Sequence, residues 1–193
     1  MKQLPIILVA VISIALGIWL GMPEQKPVTG YEHLGGDFVV QSTNGDVKLE
    51  DFRGKIVPIY FGFAACPDVC ITALSGLSMA LRSLSHDEMA QTQPLFISID
   101  PDRDTPAKAD EYAKYFHPSI IGASTDAENL KAIAKRYLVI YAKVAMEDSA
   151  MKYTMDHSSK IYFVGREGKI LSTASHGESA EQLAKQLKAA LAY

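Results

Sequence analysis

Unbroken apolar runs alternate with amphipathic stretches along this chain, and the alternation predicts strands and helices in turn. Residues 56–63 are almost wholly apolar and read as a buried strand, with Pro58 a blemish that marks a bulge. Ile71, Leu74, Leu77, Leu81 and Leu84 then recur at steps of three and four, the period of a helix with one inward face. Residues 94–100 form a second apolar run. Thr105 followed by Pro106 opens a helix to about Phe116, with Thr as cap and Pro in the first turn. Ile120 and Ile121 predict a short strand. Thr125-x-x-Glu128 has the form of a capping box, and the helix behind it turns Leu130, Ile133 and Tyr137 inward. Residues 138–146 read as extended and 147–155 as a polar loop. Two strands, 160–164 and 170–173, flank a turn at 166–168. Ser179-x-x-Gln182 caps a last helix with Leu183, Leu187 and Leu191 inward. Upstream, residues 38–51 predict a hairpin turning at Asn44-Gly45.

Strands and helices in that order imply an α/β domain: a central mixed sheet flanked by helices, preceded by an N-terminal β-hairpin. The first core strand empties into a turn carrying Cys66 and Cys70, the two cysteines of the chain. A cysteine pair at the top of the first core strand makes the fold thioredoxin-like. At a strand–helix junction the free N–H groups favour negative charge, so they favour thiolates. Four residues apart on a helix puts two side chains on one face, roughly 5–6 Å apart at Cβ, which suits two sulfurs on one metal ion. A disulfide needs Cβ atoms about 3.8 Å apart. Pro67 permits that by keeping Cys66 ahead of the helix and Cys70 in its first turn. The pair by itself leaves redox chemistry and metal binding both open.

The N-terminal stretch changes the picture from a free domain to a tethered one. Residues 4–22 carry no charged side chain. As a helix they span roughly 28 Å, about one hydrocarbon core. Lys2 precedes the stretch and Trp19 sits near its far end, at interface depth. The apolar run continues past the small-residue site at Ala15 and Gly17, which favours an uncleaved transmembrane anchor over a signal peptide. The expected divisions are therefore an anchor at 1–22, a linker at 23–36 and the folded domain at 37–193. Lys2 puts the N-terminus in the cytoplasm and the domain outside. In a bacterium that is a single-pass protein of the inner membrane, with its soluble domain in the periplasm. The linker, with Pro23, Pro27, Gly30, Gly35 and Gly36, reaches roughly 45 Å when extended. Composition adds little: hydrophobic residues are 48% of 193, enough for a core, and the net charge of −3 with no basic cluster argues against nucleic acid.

Oxidoreductases of the thioredoxin type place a cis-proline opposite their cysteines, just ahead of the terminal hairpin. In this chain the last proline is Pro118, and Asp156-His157-Ser158 stands in that place. With this fold His157 faces Cys66 and Cys70 across the sheet edge. Two thiolates and an imidazole suit Cu(I) and accommodate Cu(II); zinc would want a fourth ligand.

Three stretches carry a resemblance: Cys66-Pro-Asp-Val-Cys70 after a strand, Ser98-Ile-Asp-Pro-Asp-Arg-Asp-Thr-Pro106, and Asp156-His157-Ser-Ser before Lys160-Ile-Tyr-Phe. In this order they resemble the Sco/SenC family over residues 36–192. The resemblance implies a membrane-anchored thioredoxin fold that binds copper, as Cu(I) and Cu(II), through Cys66, Cys70 and His157. It implies a metallochaperone rather than an enzyme, assisting assembly of the dinuclear copper centre of cytochrome c oxidase. The alternative within the same fold is a thiol–disulfide oxidoreductase that cycles a Cys66–Cys70 disulfide and reduces the cysteines of a copper-protein client. The implied partners are that client and the membrane. Ile71, where the family often has proline, and Ala64-Ala65 depart from the pattern in the loop but leave the ligand set intact.

Other residues weigh less. Asp68, between the cysteines, disfavours two free thiolates, which a bound cation would offset. Met146, Met151 and Met155 crowd the stretch before His157 and offer soft thioethers. The acidic turn from Asp100 to Asp104 reads as a helix cap or a partner contact. His33, His86, His117 and His176 read as solvated.

Overall fold

The computed structural model describes residues 30, 31 and 33–193. The anchor expected over 1–22 and most of the linker lie outside the described residues; among those described, no helix is long and apolar enough to cross a membrane. The end of the expected linker lies on the domain. Tyr31 and Leu34 pack against the core, and Gly35 N–H donates to the Arg136 carbonyl at 2.8 Å.

The apolar run becomes β3 (Val57–Gly62), buried at every position. An unbroken apolar strand belongs in the middle of a sheet covered on both faces. β3 pairs in parallel with β4 (Leu95–Ser98), which pairs in parallel with β5 (Ile121–Ala123). On its other side β3 pairs antiparallel with β8 (Lys160–Val164), which carries β9 (Ile170–Ser175). The result is a five-stranded mixed sheet of order β5-β4-β3-β8-β9. The bulge expected at Pro58 is absent there. Parallel pairing breaks between the Ile56–Thr92 bridge and the ladder that starts at Ile59, so the missing N–H of Pro58 falls in that gap, and the irregularity lies between Phe163 and Val164.

Helices cover both faces. α1 (Val69–Arg82) and α3 (Pro106–Phe116) lie on the face of Tyr60 and Phe96, where Phe96 meets the Tyr112 ring with centroids 5.3 Å apart. α5 (Ala180–Leu191) packs along α1. α4 (Ala127–Tyr137) covers the opposite face, where Tyr137 meets the rings of Phe61, Tyr162 and Phe38. A short helix, α2 (His86–Ala90), was not legible in the apolar period because none of its residues is buried. Its Ser85–Glu88 capping box is the signal that marks it.

Local differences have local causes. The inward face of α1 is Cys70, Ala73, Leu74, Leu77 and Leu81, while Ile71 is 43% exposed. Cys70 takes the inward place, and the next residue, 100° round, swings out. The N-terminal hairpin, β1 (Val39–Ser42) and β2 (Gly45–Lys48), turns at Thr43-Asn44, one residue earlier than expected. This register puts Val40 opposite Val47, both buried, and leaves Gly45 at φ 109° to start β2. The cap of α4 is Asp126, which accepts from Asn129 N–H at 2.9 Å, rather than Thr125. The polar stretch before His157 is partly strand. β6 (Tyr141–Ala145) and β7 (Tyr153–His157) form a separate antiparallel hairpin. The sequence hid it because β6 is exposed over four of its five positions and so has no apolar face to read.

Candidate metal and redox centre

Cys66 lies in the turn after β3, and Cys70 is the second residue of α1. Both are unpaired thiols and both are buried. Asp68 stands at the N-cap without capping through its side chain, so the first helical N–H groups remain available to sulfur. Cys70 N–H points at the Cys66 sulfur from 3.4 Å. This is the local geometry that Pro67 permits: Cys66 ahead of the helix, receiving the N–H of the residue four further on.

The two thiols are inequivalent. The Cys70 thiol donates to Cys66 and lowers its pKa to about 4 against the opposing effect of burial; the His157 imidazole and the backbone N–H groups of Asp68 and Cys70 add to the lowering. Cys70 is pushed far upward, first by donating to Cys66 and then by its own burial. The pair therefore holds one thiolate and one thiol sharing a hydrogen bond. This is the inequivalence that a nucleophilic thiol and its partner need.

His157 closes the site from the end of β7. Its Nε2 lies 3.6 Å from Cys70 Sγ, and its ring stands edge-on to Tyr60 and Phe63. Its Nδ1 is buried without a hydrogen-bond partner. There are no cis peptide bonds among the described residues. Three soft or borderline donors thus meet in one place, held by hydrogen bonds rather than spread around a vacant centre. Accordingly, no three His, Cys, Asp or Glu side chains among the described residues form a ready-made metal cage.

The family model described as SCO1/SenC matches residues 26–192. The chain belongs to the SCO1/SenC family. A SCO2-like protein of Rickettsia felis is 34% identical over 196 residues, 94% of this chain and 95% of that one. The crystal structure of Arabidopsis thaliana ScoI with copper bound is 33% identical and superposes with a TM-score of 0.76, over 83% of this chain and 99% of that one. Bradyrhizobium japonicum ScoI, also solved with copper bound, is 35% identical with a TM-score of 0.72, over 81% and 99%.

In this SCO1/SenC chain the acidic turn does more than cap a helix. Asp104, fully buried, accepts from Ala64 N–H and from Ser98 Oγ, both at 2.8 Å, and so fixes the backbone that leads into Cys66. Asp100 accepts from the Tyr153 hydroxyl at 2.8 Å and pairs with Arg103. The alternation of Asp with Arg signals ion pairing in the sequence, but not which loops the pairs would join. Met155 is buried against the core, whereas Met146 is 38% exposed and Met151 lies in between, so the three thioethers do not converge as a set. His33, His86 and His176 are exposed. His117 departs from expectation. It is half-buried, its Nδ1 lies 2.7 Å from Ser119 Oγ, and burial lowers its pKa.

Proposed function

We propose that this chain is a copper carrier that serves assembly of the dinuclear copper centre of cytochrome c oxidase, binding the ion through Cys66, Cys70 and His157. The observation that carries the reading is the meeting of one thiolate, one thiol and an imidazole with an unpartnered Nδ1, in a fold shared with copper-bound ScoI proteins. The donor set fits the cargo. Cu(I) takes soft thiolates readily, and the imidazole extends the set toward Cu(II). Loading must expel the Cys70 proton, so copper uptake releases acid and weakens as pH falls. The N-terminal stretch acts as the anchor that keeps this domain outside the cytoplasmic membrane, where its client copper protein resides.

A second reading draws on the thiolate–thiol pair. A Cys66 thiolate beside a protonated Cys70 is also the reduced form of a dithiol that can reduce a client disulfide: Cys66 attacks, Cys70 then resolves the mixed disulfide, and two electrons pass to the client. His157→Ala separates the two. Copper carriage predicts at least a tenfold loss of Cu(II) affinity with a much smaller loss for Cu(I), and no copper binding by the oxidised protein. Unchanged Cu(II) binding in the variant, with strong disulfide reduction by the wild type, would replace the carrier reading with the reductase.

A further inference from the structure

His157 stands on a hairpin that pairs with no strand of the central sheet. Its backbone tie to that sheet runs only through Ser158 and Ser159 into β8, and the rest of the hairpin is held against the domain by side chains. On β7, Tyr153, Met155 and His157 alternate onto one face. All three point inward: Met155 is buried, His157 meets Cys70, and Tyr153 meets Arg103. The grip on Tyr153 is extensive. The Arg103 guanidinium lies 3.8 Å from its ring centroid and Arg103 Nη1 donates to its carbonyl at 3.0 Å. Its hydroxyl donates to Asp100 at 2.8 Å. From β6, Lys143 approaches the same ring at 4.4 Å while pairing with Asp102 at 2.5 Å. Arg103 also lies 5.9 Å from the Phe63 ring, and Phe63 itself packs edge-on to His157 at 6.0 Å. One guanidinium thus touches both the strand end that leads to the cysteines and the arm that carries the histidine.

We propose that Arg103 and Tyr153 form a latch that fixes the β6–β7 hairpin, and with it His157, against the cysteine pair, so that both are positioning residues for the third metal ligand. The role assigned to His157 rests on the copper reading above; the latch itself is a property of the metal-free chain. Release of Tyr153 lets β7 pivot and carries the imidazole away while Cys66 and Cys70, fixed to β3 and α1, stay in place. The acidic turn is then the junction that couples the two halves of the site.

Hydrogen exchange of the reduced, metal-free protein tests the latch directly. In Arg103→Met, amides of residues 141–145 and 153–157 should exchange at least tenfold faster, while those of β3 and β4 keep their protection. Tyr153→Phe, which keeps the ring and loses only the Asp100 bond, should give a smaller increase confined to the same hairpin, and it carries the test should Arg103→Met loosen the central sheet as well. With copper, Arg103→Met should lower Cu(II) affinity about tenfold, and its Cu(II) absorption spectrum should approach that of His157→Ala. In the His157→Ala background the same substitution should cost nothing further. Unchanged hairpin exchange in both variants, or a copper loss that adds fully to that of His157→Ala, would overturn the latch. A wild type that binds no copper would overturn the carrier reading instead, leaving hydrogen exchange alone to decide the latch.

Discussion

Gly62 leaves little room for change beside the cysteine pair. A Cβ there would stand 2.8 Å from the Tyr60 ring, 3.0 Å from Cys70 Sγ and 3.1 Å from the Phe96 ring. No backbone strain is involved; the space is simply occupied by the buried sulfur and two rings. Gly62→Ala should therefore cost about 1–3 kcal/mol in denaturant unfolding. It should also displace Cys70, seen as altered reactivity of the pair. The thiol inequivalence gives a second test. With its pKa near 4, Cys66 remains mostly thiolate at pH 5, whereas an ordinary thiol loses about tenfold in thiolate for each pH unit below its pKa. Alkylation of the reduced protein by iodoacetamide should go to Cys66, identified by mass spectrometry, at a rate nearly flat from pH 7 to 5 that falls only as pH approaches 4. Removing the Cys70 donor by Cys70→Ala should move that fall upward toward the usual thiol range. The identities of these residues were legible in sequence; their inequivalence was not, because it depends on which thiol donates to the other and then on which sulfur is buried deeper.

At the scale of elements, the loop between β3 and α1 is held by a residue forty positions away. Asp104→Ala would leave the Ala64 N–H and the Ser98 hydroxyl without their shared acceptor and Lys108 without its ion-pair partner. A loss of about 2–3 kcal/mol is expected, because buried donors left unsatisfied cost more than the bonds contributed. Denaturant unfolding of the two proteins checks it, with Lys108→Ala, on a half-exposed cation, expected to cost well under 1 kcal/mol. The helices and central strands were legible because burial imposes a period on their apolar residues. The β6–β7 hairpin was legible only as an extended stretch followed by a loop. Its inward face is made by Tyr141, Tyr153, Met155 and His157, and three of those carry polar atoms.

Over the whole molecule, the folded unit begins earlier than residue 37. Tyr31 and Leu34 pack on the core, the Tyr31 hydroxyl lies 3.1 Å from Thr173 Oγ1, and Arg136 and Tyr137 donate to the carbonyls of Asp37 and Gly36. A protein of residues 30–193 should unfold as one unit. Shortening it to 37–193 should lower its stability by about 2 kcal/mol, the worth of two partly buried side chains, with the midpoint shift read by circular dichroism. An unchanged midpoint would mean that residues 31–36 merely lie on the surface. The glycines and prolines of this stretch made it read as a linker, since composition reports what a segment is able to do and not what it touches.

The sequence by itself determined the order of the central strands and the four long helices, the placement of both cysteines at a strand–helix junction, and the family. Each is written in local period, in spacing or in a run of adjacent residues. Tertiary structure decided what depends on separation in space. It set Cys70 rather than Ile71 on the buried face of α1. It joined the acidic turn to the cysteine loop through Asp104 and to the histidine hairpin through Arg103. It brought His157 to 3.6 Å from a sulfur 87 positions away. No periodicity encodes such contacts, because they form only when the parallel pairing of β3 with β4 sets the acidic turn beside the end of β3, and the antiparallel pairing of β8 with β3 brings the chain just after His157 to the same end.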